Sequence, residues 1–163
     1  MQAATHPHGV MRRSDREITD RAEIDAILRS EKVMRIALVD GDTPFLVPVF
    51  FSYDGTALYF HSARSGSKID IIKRNNKVCF EVSTGHGVIE SQMACDFEAR
   101  HKTVIGVGHI ERVRDEAEKK RALDAIVARF TEQHFEYPEE NFRATAVLRI
   151  DIDSLKGKKH GFA

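Results

Sequence analysis

The chain has 163 residues, enough for one ordinary domain with a real core. Its 25 basic and 25 acidic residues cancel to a formal net charge of zero, which implies no general attraction to nucleic acid. Apolar stretches are strand-sized, far short of the roughly 20 residues a membrane helix needs. No secretory signal is visible, so a soluble cytoplasmic protein is the expectation.

The opening "MQAATHPHGV" reads as a flexible leader, assigned to residues 1–14, and Met11 in "MRRSDREI" is an alternative start to Met1. A single domain is expected over residues 15–155. Asp20 with Glu23 resembles a capping arrangement, and Ile24, Ile27 and Leu28 recur at helical spacing, which predicts a first helix over Asp20 to Ser30. Three strands follow: "VMRIALVDG", "PFLVPVFFSYDG" and "ALYFHS". The first two end in Asp-Gly turn signals, so the three read as an antiparallel meander.

The stretch "LYFHSARSGSKIDIIKRN" then leads from the third strand through a Ser/Gly turn into a short helix, Ser67 to Asn75. "KVCFEVST" is a fourth strand in which Val78, Phe80 and Val82 alternate with Cys79, Glu81 and Ser83. "GHGVIESQMACDFE" shows no pattern and reads as a long loop. "KTVIGVGHIERV" is a fifth strand whose Gly106 and Gly108 suggest a bulge or close approach of another backbone. Asp115 and Glu118 open a long helix with Leu123, Ile126, Val127 and Phe130 on one face. "ATAVLRIDIDSL" is the last strand, and "KGKKHGFA" (156–163) reads as a basic tail. Strands adjacent in sequence argue against a parallel nucleotide-binding sheet, which needs a crossover between nearly every pair. An antiparallel six-stranded β-barrel with flanking helices, an α+β arrangement that is mainly β, is the fold expected.

Candidate sites concentrate at the third strand and the turn after it. A Ser67 cap would leave the first backbone N–H groups of the short helix free, and the helix dipole favours an anion there. Ser65 and Ser67 offer hydroxyls, Gly66 lets backbone come close, and Lys68 adds charge, with Arg64, Lys73 and Arg74 nearby. These are the parts of a phosphate cradle, although an ordinary capped helix with one lysine has the same parts. His61, opposite Leu58 and Phe60, is either a hydrogen-bonded surface histidine or a polar group beside a bound ring. Pro48, before Phe50 and Phe51, cannot donate to a ladder, so its strand is at an edge, bulged, or open to a flat ligand.

The eight histidines show no metal-ligand spacing: His6 and His8 lie in the leader, and "GHG" offers one ligand at most. No metal is expected. Neither the G-x-S-x-G hydrolase turn nor the G-x-G-x-x-G dinucleotide fingerprint is present. The two cysteines, Cys79 and Cys95, do not form a disulfide framework and are expected to be structural.

In the order of these pieces the chain resembles the pyridoxamine 5'-phosphate oxidase-like split-barrel flavoproteins, in the branch that includes nitroimidazole-resistance proteins. The likeness rests on "MRRSDREI", on "RIALVDGDTPFLVPVFFSYDGTALYFHSARSGSKIDIIKRNNKVCFEV", and on "RHKTVIGVGHIERV" with "EKKRALDAIV". It implies a six-stranded split barrel, a homodimer, and flavin mononucleotide (FMN) between the subunits. By resemblance, Lys68 with the Ser65, Gly66 and Ser67 turn holds the phosphate, and Val47, Pro48, Val49 and Phe50 line the ring. His61, Ser62 and Ala63 lie near the ring and ribityl chain, while Arg100 and Thr103 approach across the dimer interface. The implied chemistry is reduction by NAD(P)H and electron delivery to a nitroaromatic or quinone, with His61 as the residue nearest the reactive edge.

Two departures stand out: Ser67 occupies a place where oxidase members carry arginine, and "KGKKHGFA" does not reproduce their C-terminal arginine pattern. Oxidation of pyridoxamine phosphate is therefore not the expected activity. Haem binding, deazaflavin use and flavin retention without turnover are the alternatives the resemblance leaves open.

Overall fold

A computed structural model describes residues 7–162. Met1 and His6, assigned to the leader, and Ala163 lie outside the described residues. A short 3-10 turn (Ser14–Arg16) leads into β1 (Glu17–Ile18) and α1 (Arg21–Ser30). The meander β2 (Val33–Asp40), β3 (Thr43–Tyr53) and β4 (Ala57–Ala63) comes next, as the Asp-Gly signals predict. Helix α2 (Ser67–Arg74) precedes the long hairpin of β5 (Lys77–Ile89) and β6 (Glu98–Arg112). Helices α3 (Glu116–Val127) and α4 (Glu139–Ala144) separate that hairpin from β7 (Thr145–His160).

Strands pair in the order β1-β7-β4-β3-β2-β5-β6, and β6 pairs back onto β7. Six antiparallel strands therefore close into a ring, the split-barrel fold, with the two-residue β1 added along β7. Its interior is filled by the alternate residues that the period-2 pattern picks out. Phe51, Phe60 and Phe80 are fully buried there with Met34, Ile36, Leu38, Leu58 and Ile150, and Val78 and Val82 face the same core. Each such side chain contributes about 1.5–3 kcal/mol. An exposed ion pair contributes about 0–1 kcal/mol. Filling, not surface charge, holds the ring.

Helix α1 is capped by Asp20, whose carboxylate accepts from the Ala22 N–H at 2.9 Å. Glu23 does not complete a capping box; it bridges Lys102 on β6 and Lys159 on β7, which ties α1 across both strands. In α3, Asp115 caps the helix through the Glu118 N–H, and Ala122, Leu123 and Ile126 are buried. A second apolar cluster forms where Leu123 and Ala122 meet Val113 and Val147, with Tyr59, Tyr137 and Phe142 around it.

Four sequence expectations are corrected. The unpatterned segment after Thr84 is not one long loop: Gly85–Ile89 continue β5, pairing Gly87 with Arg100 and Ile89 with Glu98 across a register irregularity. Residues 156–160 are no tail, because Lys156 to His160 pair with Ile105 to His101 of β6. Gly157 makes that possible, since a Cβ there would lie 2.8 Å from the Ile18 Cβ. Ser67 does not cap α2: Gly66 takes the N-cap position and no side chain bonds there. Helix α4 is additional, and α3 ends at Val127, so Phe130 lies beyond it.

The glycine signal in β6 has a definite cause. Val107 pairs with Ser154 but Gly108 with Ile152, so Asp153 is the extra residue of a bulge in β7. At Gly108 a Cβ would stand 2.2 Å from the Asp151 carbonyl oxygen, a backbone atom that cannot swing aside. Gly108→Ala is expected to destabilise the protein by about 1–3 kcal/mol or more, measured by urea denaturation. An unchanged midpoint would mean that the two backbones are not in this contact.

Candidate functional site

The ring is thinly paired at two seams, β2–β5 and β3–β4, and the site residues expected from the sequence flank the seam between β3 and β4. Those strands pair only at Phe51–Phe60, Ser52–Tyr59 and Tyr53–Leu58. Before Phe51, β3 keeps its pairing to β2 from Thr43 to Phe50. After Phe60, β4 keeps its pairing to β7, with His61, Ser62 and Ala63 opposite Val147, Ala146 and Thr145. The strands have parted, and each presents one unpaired edge to the gap.

The Phe51 N–H donates to the Lys32 carbonyl on the β2 side, so the alternate residues Phe50 and Pro48 direct their backbone toward the gap. Pro48 is thus at a position where a missing N–H breaks no ladder bond, one of the readings open from the sequence. Val47 and Val49 turn their side chains to the core, while Phe50 is half exposed. A planar ligand would meet backbone and small side chains along this edge.

Beyond Ala63 the chain turns through Arg64, Ser65 and Gly66 into α2, all of them exposed. Gly66 adopts φ 115° and ψ 168°, and a Cβ built there would touch nothing within 4 Å. Glycine is required by its backbone conformation, and the space beside it is open. The first N–H groups of α2 lack a side-chain cap, so they face that space as donors.

Lys68 reaches back from the first turn of α2, its Nζ 5.8 Å from the centre of the Phe60 ring. Phe60 is the last residue of β4 paired to β3, so the ammonium group sits at the mouth of the gap. No carboxylate pairs with Lys68 among the described residues, and burial lowers its pKa. The other nearby cations are engaged: Arg74 with Asp40, Lys73 with Asp70, and Arg64 with the Arg143 carbonyl. Lys68 differs from these three in having no such partner among the described residues.

His61 stands on the β4 lip of the same gap. Removal from water lowers its pKa first, and the Lys68 charge lowers it further, so its ring is neutral at pH 7. A neutral imidazole offers one N–H and one acceptor nitrogen to whatever enters.

Arg100 and Thr103 are not at this corner within one chain. They lie on β6, which is three strands from β3 in either direction around the ring. Thr103 Oγ1 bonds Ser83 Oγ at 2.8 Å and meets His101 Nδ1 at 3.1 Å. The Arg100 guanidinium stacks over Phe162, 5.2 Å from its centre.

One contributor was missed in the sequence. Phe130, assigned there to the packed face of α3, is exposed and meets Phe50 edge-on at 4.8 Å, with Lys32 over its ring. Its helical spacing concealed the fact that the helix has already ended.

Among the described residues no group of three metal-ligating side chains gathers, and no helix is long and apolar enough to cross a membrane. Cys79 is half-buried, with its thiol pushed up by burial, and Cys95 is exposed.

The family model described as pyridoxamine 5'-phosphate oxidase matches residues 20–159. Comparison with curated proteins finds no match. Among solved structures, the chain is similar to a protein provisionally named a 5-nitroimidazole antibiotic resistance protein, from Bacteroides thetaiotaomicron VPI-5482. The two are 31% identical over 87% of this chain and 85% of that one, with a TM-score of 0.79. It shares its fold with the flavocytochrome Anf3 from Azotobacter vinelandii, at 23% identity, 94% and 73% coverage and a TM-score of 0.84. An FAD and heme binding protein from Mycobacterium smegmatis matches at 22% identity, 90% and 74% coverage and a TM-score of 0.81. The match across the ring, the parted strands and the helix beyond them means that the chain belongs to the pyridoxamine 5'-phosphate oxidase family.

Proposed function

We propose that this protein is a flavin-dependent oxidoreductase that holds FMN along the gap between β3 and β4. The observation that carries the reading is Lys68, which stands at the mouth of that gap with no carboxylate partner among the described residues, beside the uncapped start of α2. A phosphate monoester suits that corner: it accepts hydrogen bonds from free N–H groups and pairs with the ammonium. The open space at Gly66 leaves room for it. Backbone groups of Pro48 and Phe50 then border the ring system, with His61, Ser62 and Ala63 on the facing strand. FMN, when bound, supplies the hydride and electron transfer.

The protein's own contributions are position and electrostatics. Neutral His61 can donate or accept a hydrogen bond at the lip without bringing a second positive charge beside Lys68. Phe50 and Phe130 form an apolar rim that suits a flat acceptor, a nitroaromatic or a quinone, with NAD(P)H as the donor. Arg100 and Thr103 can reach the gap only from a second copy, because β6 is opposite β3 in the ring. The functional unit in this reading is a cytoplasmic homodimer with two composite sites.

Three outcomes test it. Lys68→Ala should weaken FMN retention about 10- to 100-fold, the loss of one charge-assisted contact of about 1.5–3 kcal/mol, read from visible absorbance during dialysis. Retention equal to that of the parent would sink the cradle. In an NMR titration the His61 ring should protonate below the ordinary histidine value of 6.5, and its midpoint should move upward in Lys68→Ala, since a neighbouring cation has gone. A midpoint unmoved by the substitution would separate His61 from Lys68. Light scattering should give twice the 18.5 kDa chain mass, and a monomer that retains FMN would remove Arg100 and Thr103 from the site.

A further inference from the structure

Around the irregularity in β5, three glycines make room for one pair of side chains. Thr84 pairs with Lys102 and Gly87 with Arg100, so Gly85 and His86 stand opposite the single residue His101, a bulge in β5. A Cβ at Gly85 would lie 2.7 Å from the tip of the Phe162 ring. One at Gly87 would lie 3.1 Å from Arg100 Nε, and one at Gly161 would lie 2.7 Å from Arg100 Cγ. The chain is thus stripped of side chains at the three points where Arg100 and Phe162 come together.

The charges at this place are unequally answered. Arg100 and Lys102, two residues apart on one face of β6, share the Phe162 ring, at 5.2 Å and 4.9 Å from its centre. Lys102 Nζ also donates to Glu23 at 2.8 Å. Glu98, the next acid along that face, is engaged by Arg16 and His160. Arg100 has the ring alone: no carboxylate or carbonyl accepts from it among the described residues. A guanidinium donates in its own plane, so a ring over its face restrains it and leaves its N–H edge open. The group that answers a restrained, unpaired fork is an anion.

We infer that Phe162 is a positioning residue: stacked on Arg100, it holds the guanidinium so that its N–H edge meets FMN lying in the gap of a second copy. This rests on the flavin reading and on the composite site within it, and it adds to them a residue that touches no cofactor. Phe162 acts before binding, because an arginine already restrained on a ring has less freedom to lose when it meets the anion.

The restraint is read first without flavin. In the FMN-free protein the Arg100 side-chain CH2 protons, identified by their loss in Arg100→Gln, should carry an aromatic ring-current shift. That shift should vanish in Phe162→Leu and persist in Phe162→Tyr. Flavin fluorescence titration then reads the consequence: Phe162→Leu should weaken FMN binding about 2- to 10-fold, the effect of ordering one side chain, and Phe162→Tyr should restore it. In an Arg100→Gln background Phe162→Leu should cost nothing more. Parent affinity in Phe162→Leu overturns the inference, and so does an equal loss with Arg100 already replaced, which would make Phe162 a packing residue only. A parent chain that binds no FMN overturns the flavin reading and the inference with it; the parent titration tells that failure from the other two.

Discussion

The structure depends on where two neighbouring strands stop pairing. β3 and β4 share only three residue pairs, at the end next to their turn, and then follow different partners, β2 and β7. A closed ring has no edges to spare. Here the closure is maintained by the β6–β7 pairing, which spans the strands almost end to end, and that leaves a local opening between β3 and β4 at little risk to the whole. Backbone hydrogen-bonding groups that would otherwise be spent on a ladder become available to a ligand.

Charge pairing then selects what the opening can receive. This chain is neutral overall, and most of its cations near the opening are held by carboxylates or carbonyls. Lys68 is not, and it is also drawn partly out of water, where its interaction with an anion strengthens. The positive φ of Gly66 lets the chain enter α2 without a side-chain cap, so the first N–H groups of the helix keep no side-chain acceptor, and Lys68 extends from that same turn to the Phe60 ring. Neither feature alone distinguishes this turn from an ordinary helix start; the parted strands beside it do.

Much of this was legible along the chain. The Asp-Gly turns and period-2 runs gave the β2–β3–β4 meander, and Pro48 marked an edge because proline withholds an N–H wherever it falls. Gly108 marked a close backbone approach. The segments that misled were those whose structure comes from a distant partner. Gly85–Ile89 has no strand pattern of its own and is extended because β6 lies beside it. Lys156 to His160 read as a basic tail, yet β6 pairs them along one edge and Lys159 meets Glu23 of α1. Phe130 kept helical spacing past the end of the helix and was drawn to Phe50 instead.

By itself, the sequence determined the β2–β3–β4 meander, the alternation that fills the ring, and the turn that carries Gly66 and Lys68, because these depend on dihedral preference and local periodicity. Only the tertiary structure decided that β3 and β4 separate after three pairs, that Lys68 has no carboxylate partner among the described residues while Arg64, Lys73 and Arg74 beside it are engaged, and that Arg100 and Thr103 fall on the far side of the ring. Those are outcomes of competition among strands and charges far apart in the chain, and no local pattern encodes which competitor wins.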